Sequence, residues 1–277
     1  MRSFLTALLG LCLMHANAQN LHLTLFGGYA NYQGDLQDKR YTTKQAHAAF
    51  GGGLLYEISN HFSARANVTY GTISAGDSLS PNKIRNLSFS SPITEYHLGF
   101  EYNILDIYQN SFTPYIFAGL GYFHFNPSAI DSSGNKVFLQ PLGTEGQGFY
   151  NNRKKYKLSQ MSIPFGGGVK FALGDNVRVG MEIGLRKTNT DYLDDVSTTY
   201  ADKAALQAFS GAKAVEMAFR GGELKSPLTY PAAGAQRGSA KHKDWYYFTG
   251  INLSYRFHAT VGGSGKSSKL GCPMSIQ

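Results

Sequence analysis

Glu95 and His97 stand two residues apart, just after Ser88, Ser90 and Ser91. Serine, histidine and a carboxylate are the types from which a nucleophilic hydrolase is assembled, provided the fold brings them within hydrogen-bond reach. A second constellation, Asp191-Tyr192-Leu193-Asp194-Asp195, offers closely spaced hard oxygens of the kind calcium takes. It lacks the twelve-residue loop and terminal glutamate of such a site, so a solvated turn whose aspartates bond their own backbone is the favoured reading. His22, His61, His124 and His258 show no metal-ligand spacing with one another or with acids. No metal and no cofactor are expected.

A third set is larger: Glu57, Glu95, Glu101 and Glu182 against Arg65, Lys170, Arg178, Arg186 and Arg256, all placed at alternate positions of otherwise apolar segments. The element that must position them is plainest from Val177 to Arg186, where odd positions are apolar and even positions are charged or glycine. Two-residue alternation with whole arginine and glutamate side chains on one face fits a strand between lipid and a polar lumen.

Eight segments carry the pattern. Leu21, Leu23, Leu25 and Tyr29 line one face of the first; Phe50, Leu54, Tyr56 and Ile58 the second; Phe62, Ala64, Ala66, Val68 and Tyr70 the third; Tyr96, Leu98, Phe100 and Tyr102 the fourth. The fifth, Thr113 to Phe125, is apolar on both faces, and Ile116, Ala118, Leu120 and Tyr122 are assigned outward. Ile163, Phe165, Val169 and Phe171 line the sixth, Val177 to Arg186 is the seventh, and Ile251, Leu253, Tyr255 and Phe257 line the eighth. Short links at 59–61, 105–111 and 174–176 alternate with long ones at 33–47, 74–87, 126–156 and 189–243. The predicted fold is therefore all-β, an eight-stranded antiparallel transmembrane β-barrel with short periplasmic turns and long extracellular loops. Ala201 to Phe219 is alanine-rich and reads as a short helix in the last outer loop.

On this reading the nine charged residues face a lumen just wide enough for side chains to fill it, so they should pair into a salt-bridged plug. Inward glycines such as Gly166, Gly168, Gly180 and Gly184 leave room for long side chains to cross. Glu95 and His97 face the same lumen, away from lipid, and are expected to be a hydrogen-bonded interior pair rather than part of a catalytic triad.

The remaining features agree. The chain has 32 Gly, 18 Tyr and 18 Phe with one Trp, and no segment approaches the roughly twenty apolar residues of a helical span. Arg2, the apolar run from Phe4 to Met14 and Ala16-Asn17-Ala18 read as a signal peptide over residues 1–18. A lipoprotein signal at Cys12 is disfavoured because Leu11 stands where a small residue is wanted. The barrel is expected over 19–257, in the outer membrane of a Gram-negative bacterium, with a flexible Gly, Ser and Lys-rich periplasmic tail over 258–277. The formal charge of +8 suits anionic lipid headgroups or an acidic partner face better than nucleic acid, which exported proteins seldom meet.

Several stretches resemble the PorG-type outer-membrane β-barrel family of Bacteroidota. They are Gly34-Asp35-Leu36, Ile163 to Lys170, Gly184 to Thr188, the run Asp191 to Tyr200, Asp244-Trp245-Tyr246-Tyr247, and Gly271-Cys272-Pro273. The resemblance implies an accessory of the type IX secretion system, a small barrel above a periplasmic ring built from a lipoprotein and its partner, and it supplies no catalytic residues. The expectation is a non-enzymatic barrel that contacts outer-membrane lipid and docks a periplasmic protein through its short turns and tail, where Cys272 is the candidate for a covalent bond. No small-molecule substrate and no nucleic acid are expected. Transport, a lipid-related role, or a structural duty outside the secretion system are the alternatives.

Overall fold

Strands with one apolar and one polar face can bury both only by curling until the last meets the first. In the computed structural model, which describes residues 20–37, 42–80 and 82–257, that closure is complete. The barrel strands are β1 (Leu21–Gln33), β2 (His47–Glu57), β3 (Phe62–Gly76), β4 (Ser88–Asn103), β5 (Phe112–Phe125), β8 (Ser159–Ala172), β9 (Val177–Thr188) and β10 (Trp245–Arg256). Between them, β6 (Ser128–Ile130) and β7 (Lys136–Phe138) form a hairpin in the third outer loop, and α1 (Lys203–Ser210) and α2 (Ala212–Ala218) lie in the fourth. Each barrel strand pairs antiparallel with its neighbours on both sides, and β1 pairs with β10 to close the ring. The expected signal peptide, the tail and Cys272 lie outside the described residues.

The outward faces are those the alternation assigned, including Ile116, Leu120 and Tyr122 on β5. On β4 and the turn after it, Tyr96, Leu98, Phe100, Tyr102 and Ile104 are all exposed. The stretch from Tyr96 to Ile104 runs for about 27 Å at ~3.4 Å per residue step, the length of a membrane-spanning strand. Exposed aromatics form two rows: Tyr56, Phe62, Tyr102, Phe112, Phe171 and Tyr255 near the short turns, and Tyr29, Phe50, Tyr70, Tyr96 and Tyr122 near the long loops. Paired aromatic girdles around an apolar band mark the two interfaces of a bilayer. No helix of the described residues is long and apolar enough to cross a membrane.

Gly174, at φ +84°, makes the tight turn between β8 and β9. Gly211, also at +84°, breaks what the sequence suggests as one helix into α1 and α2, a conformation that a side chain would strain. Asp202 caps α1 by accepting from the Ala205 amide at 2.8 Å. β3 and β4 extend beyond their membrane-facing segments, and the outer loops pack over the mouth. A buried cluster that includes Tyr32, Ile73, Phe89, Ile93, Phe123, Phe125, Leu193, Met217 and Phe248 joins the upper lumen to that cap. This explains why β5 is apolar on both faces: Phe117, Phe123 and Phe125 fill the interior while Ile116 and Leu120 meet lipid.

Candidate functional site

The lumen is filled in three tiers. Nearest the short turns, Arg178 donates to Glu57, as does the Tyr108 hydroxyl, and His22 Nε2 stands 3.3 Å from Glu57 Oε1. In the middle tier Arg65 grips Glu182 with two hydrogen bonds of 3.0 and 3.3 Å. Tyr115 and Asn252 also donate to that carboxylate, at 2.9 and 3.0 Å. Arg65 is 3.6 Å from Glu101, which accepts from Lys170, and its guanidinium lies 4.2 Å from the Phe117 ring centroid. In the upper tier Arg186 donates through Nε and Nη2 to Glu95 at 3.0–3.2 Å, and the Tyr246 hydroxyl donates to the same carboxylate at 2.5 Å.

Glu57, Glu95, Glu101 and Glu182 are thus matched by Arg65, Lys170, Arg178 and Arg186, all buried. Self-neutralisation is what a narrow, low-dielectric interior demands, because an unpaired charge there costs several kcal/mol. Cβ atoms at Gly180 and Gly184 would crowd Lys170 and Arg186, so these two glycines leave space for the paired side chains. A cavity of about 40 Å³ remains beside Arg65, Glu101 and Glu182, room for a few waters but not for a continuous channel. Arg256 is placed differently from its eight companions: half-buried at the periplasmic rim, it donates to the Tyr108 hydroxyl at 3.1 Å.

The histidine expectation is corrected. Glu95 is occupied by Arg186 and Tyr246, and neither ring nitrogen of buried His97 has a hydrogen-bond partner among the described residues. Ser91 lies six residues further along β4, roughly 20 Å at ~3.4 Å per residue, and its hydroxyl bonds the Pro92 carbonyl and the Asn126 amide. The fold therefore separates the parts of a triad.

The Asp191 to Asp195 run is corrected too. It is a buried node, with Asp191, Asp194 and Asp195 at 3%, 1% and 0% exposure, because four loops converge there. The Tyr32 hydroxyl lies 2.7 Å from Asp194 and 3.0 Å from Asp244. It has one proton to give, so the second contact requires a proton on one of the two carboxyls. Burial, with neighbouring carboxylates adding to it, raises both acids well above the ordinary aspartate range. Burial also pushes Asp191 up to about 7 and Asp195 up to about 6. Among the described residues no group of histidines, cysteines and acids has the arrangement of a metal site.

The clamp of this cap is a residue the sequence did not single out. Glu145, fully buried, accepts from the Ser197 and Thr198 amides at 2.9 and 3.0 Å and from the Thr198 hydroxyl at 2.7 Å. It also accepts from Arg237 at 3.0 Å and from Tyr192 at 3.3 Å. Arg85 binds Asp77 through two nitrogens at 2.6 and 3.1 Å, and donates to the carbonyls of Asp35 and Arg237. Arg237 lies in the fourth loop, so an ion pair ties it to the third loop while Arg85 ties the second to the first and fourth through backbone carbonyls. The available signal was the pair Gly143 and Gly146 around Glu145, both left-handed in the structure, a pattern of tight turns holding one carboxylate in place.

An edgeless barrel with an apolar outer band, aromatic girdles and a self-neutralised filling defines a membrane-spanning barrel of the outer-membrane type, and the chain resides in the outer membrane of a Gram-negative bacterium. The chain belongs to the family described as a domain of unknown function, DUF6089, which matches residues 1–214. Nothing among curated proteins matches it. Solved structures to which it is similar include neisserial surface protein A, with TM-score 0.43, 9% identity, and coverage of 86% of this chain and 97% of that one. Others are the attachment invasion locus protein Ail of Yersinia pestis, at 0.41, 10%, 86% and 97%, and OprG of Pseudomonas aeruginosa, at 0.40, 9%, 86% and 98%.

Proposed function

We propose that the protein is a non-enzymatic outer-membrane anchor that holds a periplasmic protein assembly, as the accessory barrel of a type IX secretion system. The observation that carries this reading is the seal. With the lumen filled by paired charges and the outer mouth closed by a packed cap, function is left to the surfaces at the two ends. At the periplasmic end the turns after β4 and β8 enclose a recess of about 250 Å³ lined by Tyr108, Asn110, Gly174, Asp175 and Arg178, a concave polar feature a protein loop can enter. The sequence resemblance supports the choice of assembly. A transport role is disfavoured by the same seal.

The test is site-specific photocrosslinking in intact envelopes from Gln109 and Asp175 in the periplasmic turns, with Lys203 in the outer cap as the position control. The expected outcome is capture of a ring-forming periplasmic lipoprotein from the turns alone, with secretion of type IX cargo lost on deletion. Capture from Lys203 only, or unimpaired cargo secretion in the deletion strain, refutes the reading. Non-reducing gels separately test whether Cys272 bonds the partner: a larger species should vanish in Cys272→Ser.

A further inference from the structure

The upper and lower ion pairs of the lumen both turn their positive ends toward the middle. The cavity of about 40 Å³ there is lined by Arg65, Lys170, Arg178 and Arg186 but, among the described residues, by only two acids, Glu101 and Glu182. Glu57 and Glu95 hold Arg178 and Arg186 from outside that lining. In a narrow interior of low dielectric, such an arrangement makes the space attractive to negative charge.

One donor at its edge is unmatched. Arg186 is 3% exposed, and the edge formed by its Nε and Nη2 is taken up by Glu95. Nη1, which a planar guanidinium turns the opposite way, has no hydrogen-bond partner among the described residues. It lies over Gly184, where a Cβ would collide with it, two residues along β9 from Glu182 of the middle tier. A charged N–H left unsatisfied at such depth is costly.

We propose that this cavity is a binding site for one small monovalent anion, of the chloride or bromide kind, held by Arg186 Nη1 and by the charge of Arg65, Lys170 and Arg178. The inference goes beyond the anchoring reading and does not depend on it. Size selects the ligand: at roughly 10–15 Å³ of such space per water, the cavity takes a monatomic ion with a water or two, but not a five-atom oxyanion with its own shell. Charge selects it over water alone. A water accepts from Nη1 but brings no charge to the field around it, whereas an anion does both. The nine charged residues of lumen and rim are five bases and four acids, a count that one negative ion evens. Arg178 lines this cavity and the periplasmic recess alike. The ion therefore enters from the periplasm past one side chain and goes no further, because the cap closes the outer mouth.

The test uses the folded full chain in a nonionic detergent. Crystals soaked in sodium bromide should show one anomalous scatterer in the lumen beside Arg186. In solution the chloride magnetic resonance line should broaden saturably, with bromide competing and sulfate not. Arg186→Lys keeps a countercharge for Glu95 but removes the second arm, and should weaken binding by about tenfold, the lower end for one hydrogen bond to a charged group. Leu55→Phe fills the same cavity without altering a charge and should abolish binding. Lys203→Gln, on the outer cap, should leave it unchanged. Heat-modifiable gel mobility checks that each variant keeps the barrel. Bromide confined to surface positions, a lumen holding water alone at saturating bromide, or wild-type affinity in Arg186→Lys or Leu55→Phe overturns the proposal.

Discussion

Removing either partner of the Arg65 and Glu182 pair should cost more than removing both. In Arg65→Met the Glu182 carboxylate keeps the Tyr115 and Asn252 donors, at 2.9 and 3.0 Å, but loses its countercharge. The expected loss is about 3 kcal/mol, the lower end for breaking a buried pair. In Glu182→Leu, Arg65 is left with Glu101, 3.6 Å away and already accepting from Lys170, so the loss should approach about 5 kcal/mol. The double variant restores neutrality and leaves only the Tyr115 hydroxyl and the Asn252 amide short of an acceptor, about 1–3 kcal/mol. The singles then sum to about 8 kcal/mol against about 2 for the double, the middle of its range, a coupling that exceeds the usual scatter of additivity. Urea unfolding of the barrel in phosphatidylcholine vesicles, followed by tryptophan emission and heat-modifiable gel mobility, measures all four corners of the cycle. Additive losses, or single losses below about 1 kcal/mol, would show that water reaches this tier and that the lumen is not a dry plug.

Glu145→Ala should leave buried Arg237 with the more distant Asp195 carboxylate at 3.8 Å and two backbone carbonyls, at a cost of about 3 kcal/mol to the cap; trypsin on intact cells should then cut the fourth loop while the heat-modifiable barrel persists. The cap should also loosen as pH rises. Asp191 and Asp195 bind their protons more tightly folded than unfolded, so their contribution is greatest below about pH 4 and falls by at most about 1.4 kcal/mol per pH unit per group up to about 7 for Asp191 and about 6 for Asp195. Hydrogen exchange of residues 191–198, corrected for intrinsic rates, should be faster at pH 8 than at pH 5, and Asp191→Asn should shrink the difference. Wild-type protein in planar bilayers should show no discrete conductance steps, and a steady open channel would contradict the seal.

The outward and inward faces of the barrel strands were legible in the sequence because side-chain direction in a strand is a local property with period two. Glu57, Arg65, Glu95, Glu101, Lys170, Arg178, Glu182 and Arg186 could be placed inside before any partner was known. β5 was the exception, since its two apolar faces gave the period nothing to report.

Which charge meets which was decided by closure. Arg65 and Glu182 are 117 residues apart, and only the register of a closed ring brings them face to face across the lumen. The same holds for the cap. Asp191, Asp194 and Asp195 read locally as a wet turn, and Glu145 as an unremarked loop residue, because burial there is created by four loops converging over the mouth. Local pattern fixes which way a side chain points; only the assembled surfaces determine whether water, lipid or another charge is waiting for it.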